Sequence, residues 1–425
     1  MGGNVSSQFP RVWHAILHGD SGTLVWPFNG NDTAASLAIE LDGQNIKPSA
    51  KGLELAKEFR KLRNGVPVVL KHTAFEKNQI AIYYSQSSIR ADWILEVKKD
   101  GKSWINRSSS WEGGHNYYAA GREGYYKLLE DIGYQYTQIS HDQVENNQME
   151  KLGIKVIVLP RVISMSNKEI GNLKAFVKNG GVVVTDLLAG RLDEHCVDYK
   201  DKLEINELLG INRSPFVYQE ETKAEEDGKA YLGGFGYPIQ VSLEEDFGEL
   251  KKGSSLNVLG FFEPNITLNS AKALGKTSTG PALLQNSFGS GVAYTLNFDL
   301  PNYLRDRNSS DATILKNTEL QRAIFKTILE KAKITPYCKV SNAKGSYPSG
   351  IETLVYTQGD NKFLAIQVNQ SNLIDWVTLN DVAEKNKNIT ELKLKIELPE
   401  SLYITEMFSE KSLGKQNAIE VTHRH

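Results

Sequence analysis

Cysteine is scarce and charge is balanced in this 425-residue chain. Only two cysteines are present, Cys196 and Cys338, which excludes a disulfide-rich scaffold. The 49 basic and 51 acidic residues give no overall field that would attract nucleic acid or an anionic membrane surface. No run approaches the ~20 apolar residues of a membrane-spanning helix, and residues 1–10 lack the basic start and apolar core of a secretion signal. We therefore expect no nucleic-acid and no membrane partner.

Short apolar runs alternate with segments of helical spacing in the central part of the chain. The runs that begin at Ile80, Lys155 and Val182 are rich in Val and Ile. This composition is typical of strands buried on both faces of a parallel sheet. Right-handed β-α-β connections between such strands build a doubly wound layer. We predict an α/β domain with a parallel sheet over residues 71–336.

Two helices of this domain carry recognisable end signals. Ser166, with Glu169 three residues later, has the pattern of a capping box. The glycine pair at 180 and 181 is a typical helix stop. A second segment, 315–332, repeats apolar residues on one helical face and ends shortly before a proline.

The two ends of the chain have other patterns. Residues 1–70 contain one apolar strand, 21–28, and one segment of helical spacing, 49–63, which is too little to bury a core. Residues 337–425 alternate apolar and polar residues between turn residues, which predicts a small antiparallel β-sandwich. Three domains are therefore expected: 1–70, 71–336 and 337–425.

The central segments resemble a known family. Residues 80–93, 155–160 and 176–185 resemble the middle, trimerisation domain of family 42 β-galactosidases, whose fold resembles flavodoxin and the class I glutamine amidotransferases. Gly289-Ser-Gly-Val-Ala-Tyr294 and the closing β domain follow the same pattern. Residues 11–63 resemble the eighth strand and last helix of the family's catalytic (β/α)8 barrel. The resemblance implies a homotrimer and a β-galactoside or related glycan as the substrate of the parent enzyme.

The resemblance also implies where the chemistry lies. The family uses two glutamates at the ends of the fourth and seventh barrel strands, and retention requires their carboxyl groups about 5 Å apart. Both strands would precede Met1, so we assign no catalytic residue and expect a C-terminal portion that is inactive alone. Trp26, at the end of the barrel's eighth strand, is the candidate to stack on galactose. Core filling is the alternative role for this indole.

A glutamine amidotransferase activity is the first alternative. Such enzymes place a nucleophilic cysteine directly after a strand that corresponds to Val182-Val-Val-Thr185, where this chain has Asp186. Cys196 lies ten residues further on, next to His195. Adjacency in sequence does not create the Cys–His geometry that catalysis needs. We therefore expect no amidotransferase activity.

A non-catalytic assembly or carbohydrate-binding protein is the second alternative. Trp104 and Trp111 lie on a polar segment, where they could contact a neighbouring subunit or a glycan, or fold back onto their own domain. His14 and His18 are interpreted as helix-surface or packing residues rather than ligands. No His, Cys, Asp or Glu cluster of the sequence has metal-ligand spacing. We predict no metal site and no cofactor.

Overall fold

The computed structural model describes most of the chain and divides it into two compact units. The first unit comprises Met1–Glu76 and Pro336–His425, and the second comprises Lys77–Thr335. The described residues are 13–20, 39–42, 44–63, 65–76, 79–97, 102–103, 117–199, 203–214, 236–307, 309, 311–342, 345, 350–368, 391–407 and 409–424. The three-domain division predicted from the sequence stays a prediction.

A nine-stranded sheet forms the centre of the Lys77–Thr335 unit. The strands of this unit are β4 Ile80–Tyr84, β5 Thr137–Ser140, β6 Val156–Leu159, β7 Val182–Thr185, β8 Ile211–Arg213, β9 Tyr237–Leu243, β10 Ser255–Gly260, β11 Ile266–Leu268, β12 Lys272–Lys276, β13 Pro281–Phe288 and β14 Gly291–Leu296. The strand order of the nine-stranded sheet is β10-β9-β12-β13-β14-β7-β6-β4-β5. β8 and β11 pair separately as a small antiparallel ribbon.

The sheet is mixed, which corrects the prediction of a parallel sheet. β5, β4, β6, β7 and β14 pair in parallel. From β14 onward the neighbours β13, β12, β9 and β10 pair antiparallel. The direction changes because a tight turn at Gly289, which has a positive φ of 63°, connects β13 directly to β14. A hairpin of this length can join only antiparallel strands.

The parallel strands β4, β6 and β7 are buried on both faces, as their Val- and Ile-rich composition predicts. Alternate side chains enter two different cores: Ile80 and Ile82 lie in one, Ala81 and Tyr83 in the other. The helices of this unit are α3 Gln86–Val97, α4 Tyr117–Glu130, α5 His141–Glu145, α6 Asn167–Lys178, α7 Ile205–Leu209, α8 Tyr303–Asp306 and α9 Ala312–Lys331. Helices α4 and α9 cover the first face, and α5, α6 and α7 cover the second.

The predicted capping box at the start of α6 is confirmed. The Ser166 hydroxyl accepts from the backbone N–H of Glu169 at 3.2 Å, and the Ser166 N–H donates to the Glu169 carboxylate at 2.5 Å. The hydroxyl of Tyr83 on β4 also donates to this carboxylate. Glu169 is therefore a buried acid that joins the helix start to the sheet.

Burial of Glu169 predicts a pH-dependent stability. Burial raises the pKa of Glu169 from 4.5 to about 7, although the Ser166 N–H opposes the shift. Because the folded state then binds this proton more tightly than the unfolded chain, the contribution is greatest below pH 4.5 and is lost as pH rises towards 7. We expect Glu169→Gln to gain roughly 3 kcal/mol relative to the wild type across this window. Urea unfolding at several pH values measures the difference.

A matched control for this pH effect is Glu249→Gln, because Glu249 is exposed and pairs with Lys326 on the surface. Its stability difference from the wild type should be flat between pH 4.5 and 7. A flat difference for Glu169→Gln as well would contradict the assigned role of Glu169.

The first unit contains two three-stranded antiparallel sheets, as the alternating pattern predicts. One has the order β15-β18-β19 and the other β17-β16-β3. Val340, Ile351, Leu394 and Ile396 come from both sheets and share one core. The elements of this unit are β1 Ile39–Asp42, β2 Asn45–Pro48, α1 Ala50–Arg63, α2 Val66–Leu70, β3 Ala74–Phe75, β15 Lys339–Asn342, β16 Ile351–Gln358, β17 Asn361–Val368, β18 Glu391–Glu406 and β19 Lys411–Arg424.

The N-terminal segment is described only in part. Residues 13–17 are helical, and α1 occupies most of the predicted helix at 49–63. The predicted strand at 21–28 lies outside the described residues. Among the helices that the structure describes, none has the length and apolar character to cross a membrane.

Candidate functional site at the carboxyl edge of the sheet

Polar residues that follow the parallel strands meet at one edge of the sheet. Arg161 comes two residues after β6, Asp186 directly after β7 and Asp299 three residues after β14. Open α/β sheets bind ligands at this carboxyl edge. We call Asp92, Tyr125, Arg161, Asp186 and Asp299 the edge cluster.

Arg161 connects the members of the edge cluster. Its Nε donates to Asp92 Oδ1 at 2.7 Å, and its Nη1 donates to Asp299 Oδ2 at 2.8 Å. Its backbone N–H donates to Asp186 Oδ1 at 2.6 Å, and the Tyr125 hydroxyl donates to the other oxygen of that carboxyl at 3.2 Å. Arg161 has a φ of 47°, a strained conformation for a residue with a long side chain. The three contacts compensate for that strain.

The edge cluster contains three carboxyl groups and one guanidinium. Burial and the negative charge of Asp299 raise the pKa of Asp186 well above its usual value, although Arg161 opposes the shift. Burial also raises the pKa of Asp299, and Arg161 again opposes the shift. One positive charge cannot balance three negative ones in a buried site, so the arrangement favours a protonated carboxyl.

The edge cluster is closed to substrates. The exposed fractions of Arg161, Asp186 and Asp299 are 1%, 2% and 0%. Perturbed carboxyls can mark catalytic sites, but a sugar cannot reach these side chains. The cluster instead holds the loops after β6, β7 and β14 together with α3 and α4. Its chemistry is structural.

Asp186 directly follows β7, where an amidotransferase would carry its nucleophilic cysteine. The Cys196 thiol is partly buried and donates to the Ser87 carbonyl oxygen at 3.7 Å. Burial raises the pKa of this thiol, whereas a nucleophilic cysteine needs a lowered one. The His195 ring is largely exposed, with Glu194 as its ion-pair partner at 4.0 Å. In the described part of the chain these two neighbours do not form a Cys–His pair.

A second buried ionic cluster lies beyond β7. Arg191 Nε donates to Glu263 Oε1 at 2.7 Å, and Arg213 Nη1 lies 3.6 Å from Glu263 Oε2. Arg191 also donates to the Ser214 carbonyl oxygen at 2.6 Å. Burial lowers the pKa of Arg213 to about 10, although Glu263 raises it. These contacts connect loops far apart in sequence, and no sequence signal indicated them.

The sequence offers three tryptophans as candidates for contact with a sugar. Trp26, predicted to stack on galactose, lies outside the described residues, and so do Trp104 and Trp111. Their roles stay predictions.

The structure brings together three other residues, which the sequence analysis did not connect. His14 and His18 both face Glu352 on β16. The signal available in the sequence was the His-x₃-His spacing within a helical turn. The third residue of the group, Glu352, lies 334 residues beyond His18.

Comparison with known proteins identifies the second unit. A family model described as the beta-galactosidase trimerisation domain matches residues 78–335. No curated protein matches the chain.

Solved structures share the fold at low sequence identity. The β-galactosidase of Bacillus circulans sp. alkalophilus is 17% identical over 88% of this chain and 45% of its own, with a TM-score of 0.55. A catalytic mutant of Gan42B, a β-galactosidase from G. stearothermophilus, is 15% identical over 98% of this chain and 50% of its own, with a TM-score of 0.61. The cold-adapted β-galactosidase of Rahnella sp. R3 is 15% identical over 89% and 45%, with a TM-score of 0.55.

The chain spans about half the length of these structures. The family match covers nearly the same residues as the compact unit Lys77–Thr335, and it extends over more than half of the chain. The chain therefore belongs to the β-galactosidase trimerisation domain family.

Proposed function

We propose that the Lys77–Thr335 unit is the assembly module of a β-galactosidase-like glycoside hydrolase and that the chain forms homotrimers. The observation that carries this proposal is the match of residues 78–335 to a trimerisation domain. The edge cluster supports it, because the buried acids of this unit are used to hold loops together rather than to meet a substrate.

The surface of α3 also supports self-association. Trp93 and Ile94 are adjacent on this helix and remain 39% and 47% exposed. Tryptophan is enriched in subunit interfaces, and the buried centre of an interface is more apolar than its rim. We propose that a second copy of the chain covers this pair.

We propose a hydrolytic activity for the parent enzyme and not for this chain on its own. The structural neighbours are β-galactosidases by name, so a terminal β-galactoside or a related glycan is the proposed substrate class. Family 42 enzymes cleave with retention through two glutamates on barrel strands that the resemblance does not place in these 425 residues. We propose that the chain on its own does not turn over such substrates, and that Trp26 is a sugar-stacking residue of the complete site.

Sedimentation velocity at micromolar concentration tests the assembly. We expect a species of three times the chain mass of 47.4 kDa. Ile94→Lys should shift the protein towards monomer, because a charge would be buried in the interface. Ile94→Val keeps the surface apolar and should remain trimeric.

A wild-type protein that sediments as a monomer would contradict the assembly proposal. An Ile94→Lys variant that remains trimeric would show that α3 is not part of the interface.

An assay with a chromogenic β-galactoside on the same trimer tests the proposed lack of turnover. A measurable rate would contradict it.

A further inference from the structure

Two imidazoles and one carboxylate converge in the first unit. His14 and His18 are one helical turn apart, with the His18 N–H donating to the His14 carbonyl oxygen at 3.0 Å. Their ring centroids are 4.3 Å apart. His14 Nδ1 lies 3.2 Å from Glu352 Oε2, and His18 Nε2 lies 2.6 Å from Glu352 Oε1. One ligand atom from each residue can be chosen so that all three lie within 4.8 Å of one another.

The scaffold around this group is ordered by packing. Glu352 lies on β16, the central strand between β3 and β17. Leu17 packs with Leu354 and Tyr356, and the Tyr356 hydroxyl donates to the Leu17 carbonyl oxygen. The helical turn is therefore attached to β16 directly beside the two histidines. Such attachment fixes ligand positions before a metal arrives.

The carboxylate of this group is buried, whereas the two imidazoles are partly exposed. The Glu352 side chain is 3% exposed, whereas those of His14 and His18 are 18% and 29% exposed. The carboxylate is thus at the base of the group and the imidazoles are at its solvent side.

We propose that His14, His18 and Glu352 bind a divalent transition-metal ion of the zinc type. Two imidazole nitrogens and one carboxylate oxygen, with water as the fourth ligand, form a known zinc donor set. Calcium and magnesium favour oxygen ligands alone. Zinc–nitrogen and zinc–oxygen bonds of about 2.0–2.2 Å in a tetrahedron separate neighbouring ligand atoms by about 3.3 Å. The 3.2 Å separation of His14 Nδ1 and Glu352 Oε2 already has this length, whereas His18 Nε2 contacts the other oxygen, Oε1, at 2.6 Å. One ligand atom from each residue lies within 4.8 Å of the other two, so binding requires small movements of the His18 ring and the carboxylate that close the three atoms around the ion.

The bound ion would join the start of the chain to a strand more than 330 residues later. An ion that binds the folded state and not the unfolded one stabilises the folded state by mass action, and the effect grows with the ratio of free ion to Kd. The expected consequence is a zinc-dependent rise in the melting temperature.

The test uses the untagged, full-length chain, stripped with a chelator and titrated with Zn²⁺ alone. We expect tight binding of one ion per chain by calorimetry that His18→Gln weakens at least tenfold, since losing an outer-shell partner alone costs 10–100-fold. The zinc-dependent rise in melting temperature should disappear in His18→Gln and in Glu352→Gln. Co²⁺ in place of Zn²⁺ should give a visible absorption spectrum typical of tetrahedral coordination.

Two matched variants separate this site from adventitious binding. His141→Gln removes a partly exposed histidine of the other unit, and His423→Gln removes one near the C-terminus; both should retain the tight site. If Glu352→Gln does not fold, His14→Gln supplies the second test, because this ring is partly exposed. Absence of zinc binding by the wild type, or binding unchanged in His14→Gln and His18→Gln, would overturn the proposal.

Discussion

Replacing Arg161 by methionine is expected to destabilise the Lys77–Thr335 unit by about 3–5 kcal/mol. The guanidinium is buried and donates to Asp92 and Asp299 at 2.7 and 2.8 Å. Methionine keeps a similar length but leaves these carboxyls buried without their cation. Removing one partner of a buried ion pair costs far more than the pair itself contributes, because the remaining charge cannot be solvated.

Hydrogen exchange measured by mass spectrometry resolves this effect by segment. Peptides covering β6 and β7 should lose protection by roughly two to three and a half orders of magnitude, since 1.4 kcal/mol corresponds to a factor of ten. Arg161→Lys keeps a charge but has no planar fork, so it should fall between the wild type and Arg161→Met.

The matched control for Arg161 is Lys276→Met. Lys276 pairs with Glu244 at 3.0 Å on the surface, where both side chains are exposed. Such a pair contributes about 0–1 kcal/mol. A loss of protection in Arg161→Met no larger than that of Lys276→Met would show that the edge cluster does not hold the loops together.

Gly291→Ala is the second substitution with a large expected effect, a loss of about 3 kcal/mol. A Cβ at this position would lie 2.2 Å from the carbonyl oxygens of both Gly181 and Val177. Both obstacles are backbone atoms at the end of α6 and the start of β7, so no side chain can rotate away. The added methyl group must separate β14 from this helix–strand junction.

The same chemical change at Gly171 should have the opposite sign. Gly171 lies inside α6, and a Cβ there would meet no atom within 4 Å. Alanine is favoured over glycine in a helix interior by about 1 kcal/mol. Urea unfolding of the two variants should therefore give midpoints on opposite sides of the wild-type value. A Gly291→Ala midpoint equal to or above the wild type would contradict the close approach of β14 and α6.

The sequence predicted the positions of the central strands but not the relative direction of all of them. The Val- and Ile-rich runs predicted β4, β6 and β7 because burial on both faces leaves a continuous apolar pattern. A similar short run, β14, also pairs in parallel, but β13 before it pairs antiparallel with it. The pattern of apolar residues is alike in both cases. Only the connection through Gly289 decides the direction.

The buried contacts of the candidate sites were harder to predict from the sequence than the strand directions. The capping box of Ser166 and Glu169 could be predicted, since its two members are three residues apart. The contacts of Arg161 with Asp92 and Asp299 span 69 and 138 residues. No local pattern distinguishes these acids from the other acidic residues of the chain.

The sequence by itself determined the central strands, the start and stop of α6, the long helix α9 and the family resemblance, because each depends on residues close together in the chain. Only the tertiary structure decided the mixed sheet, the edge cluster, the pairing of Glu263 with two arginines, and the meeting of His14 and His18 with Glu352. The physical reason is that the energy of a charge depends on its burial and on the partners within a few ångströms. Both are set by the path of the folded chain, which brings together residues that are far apart in sequence.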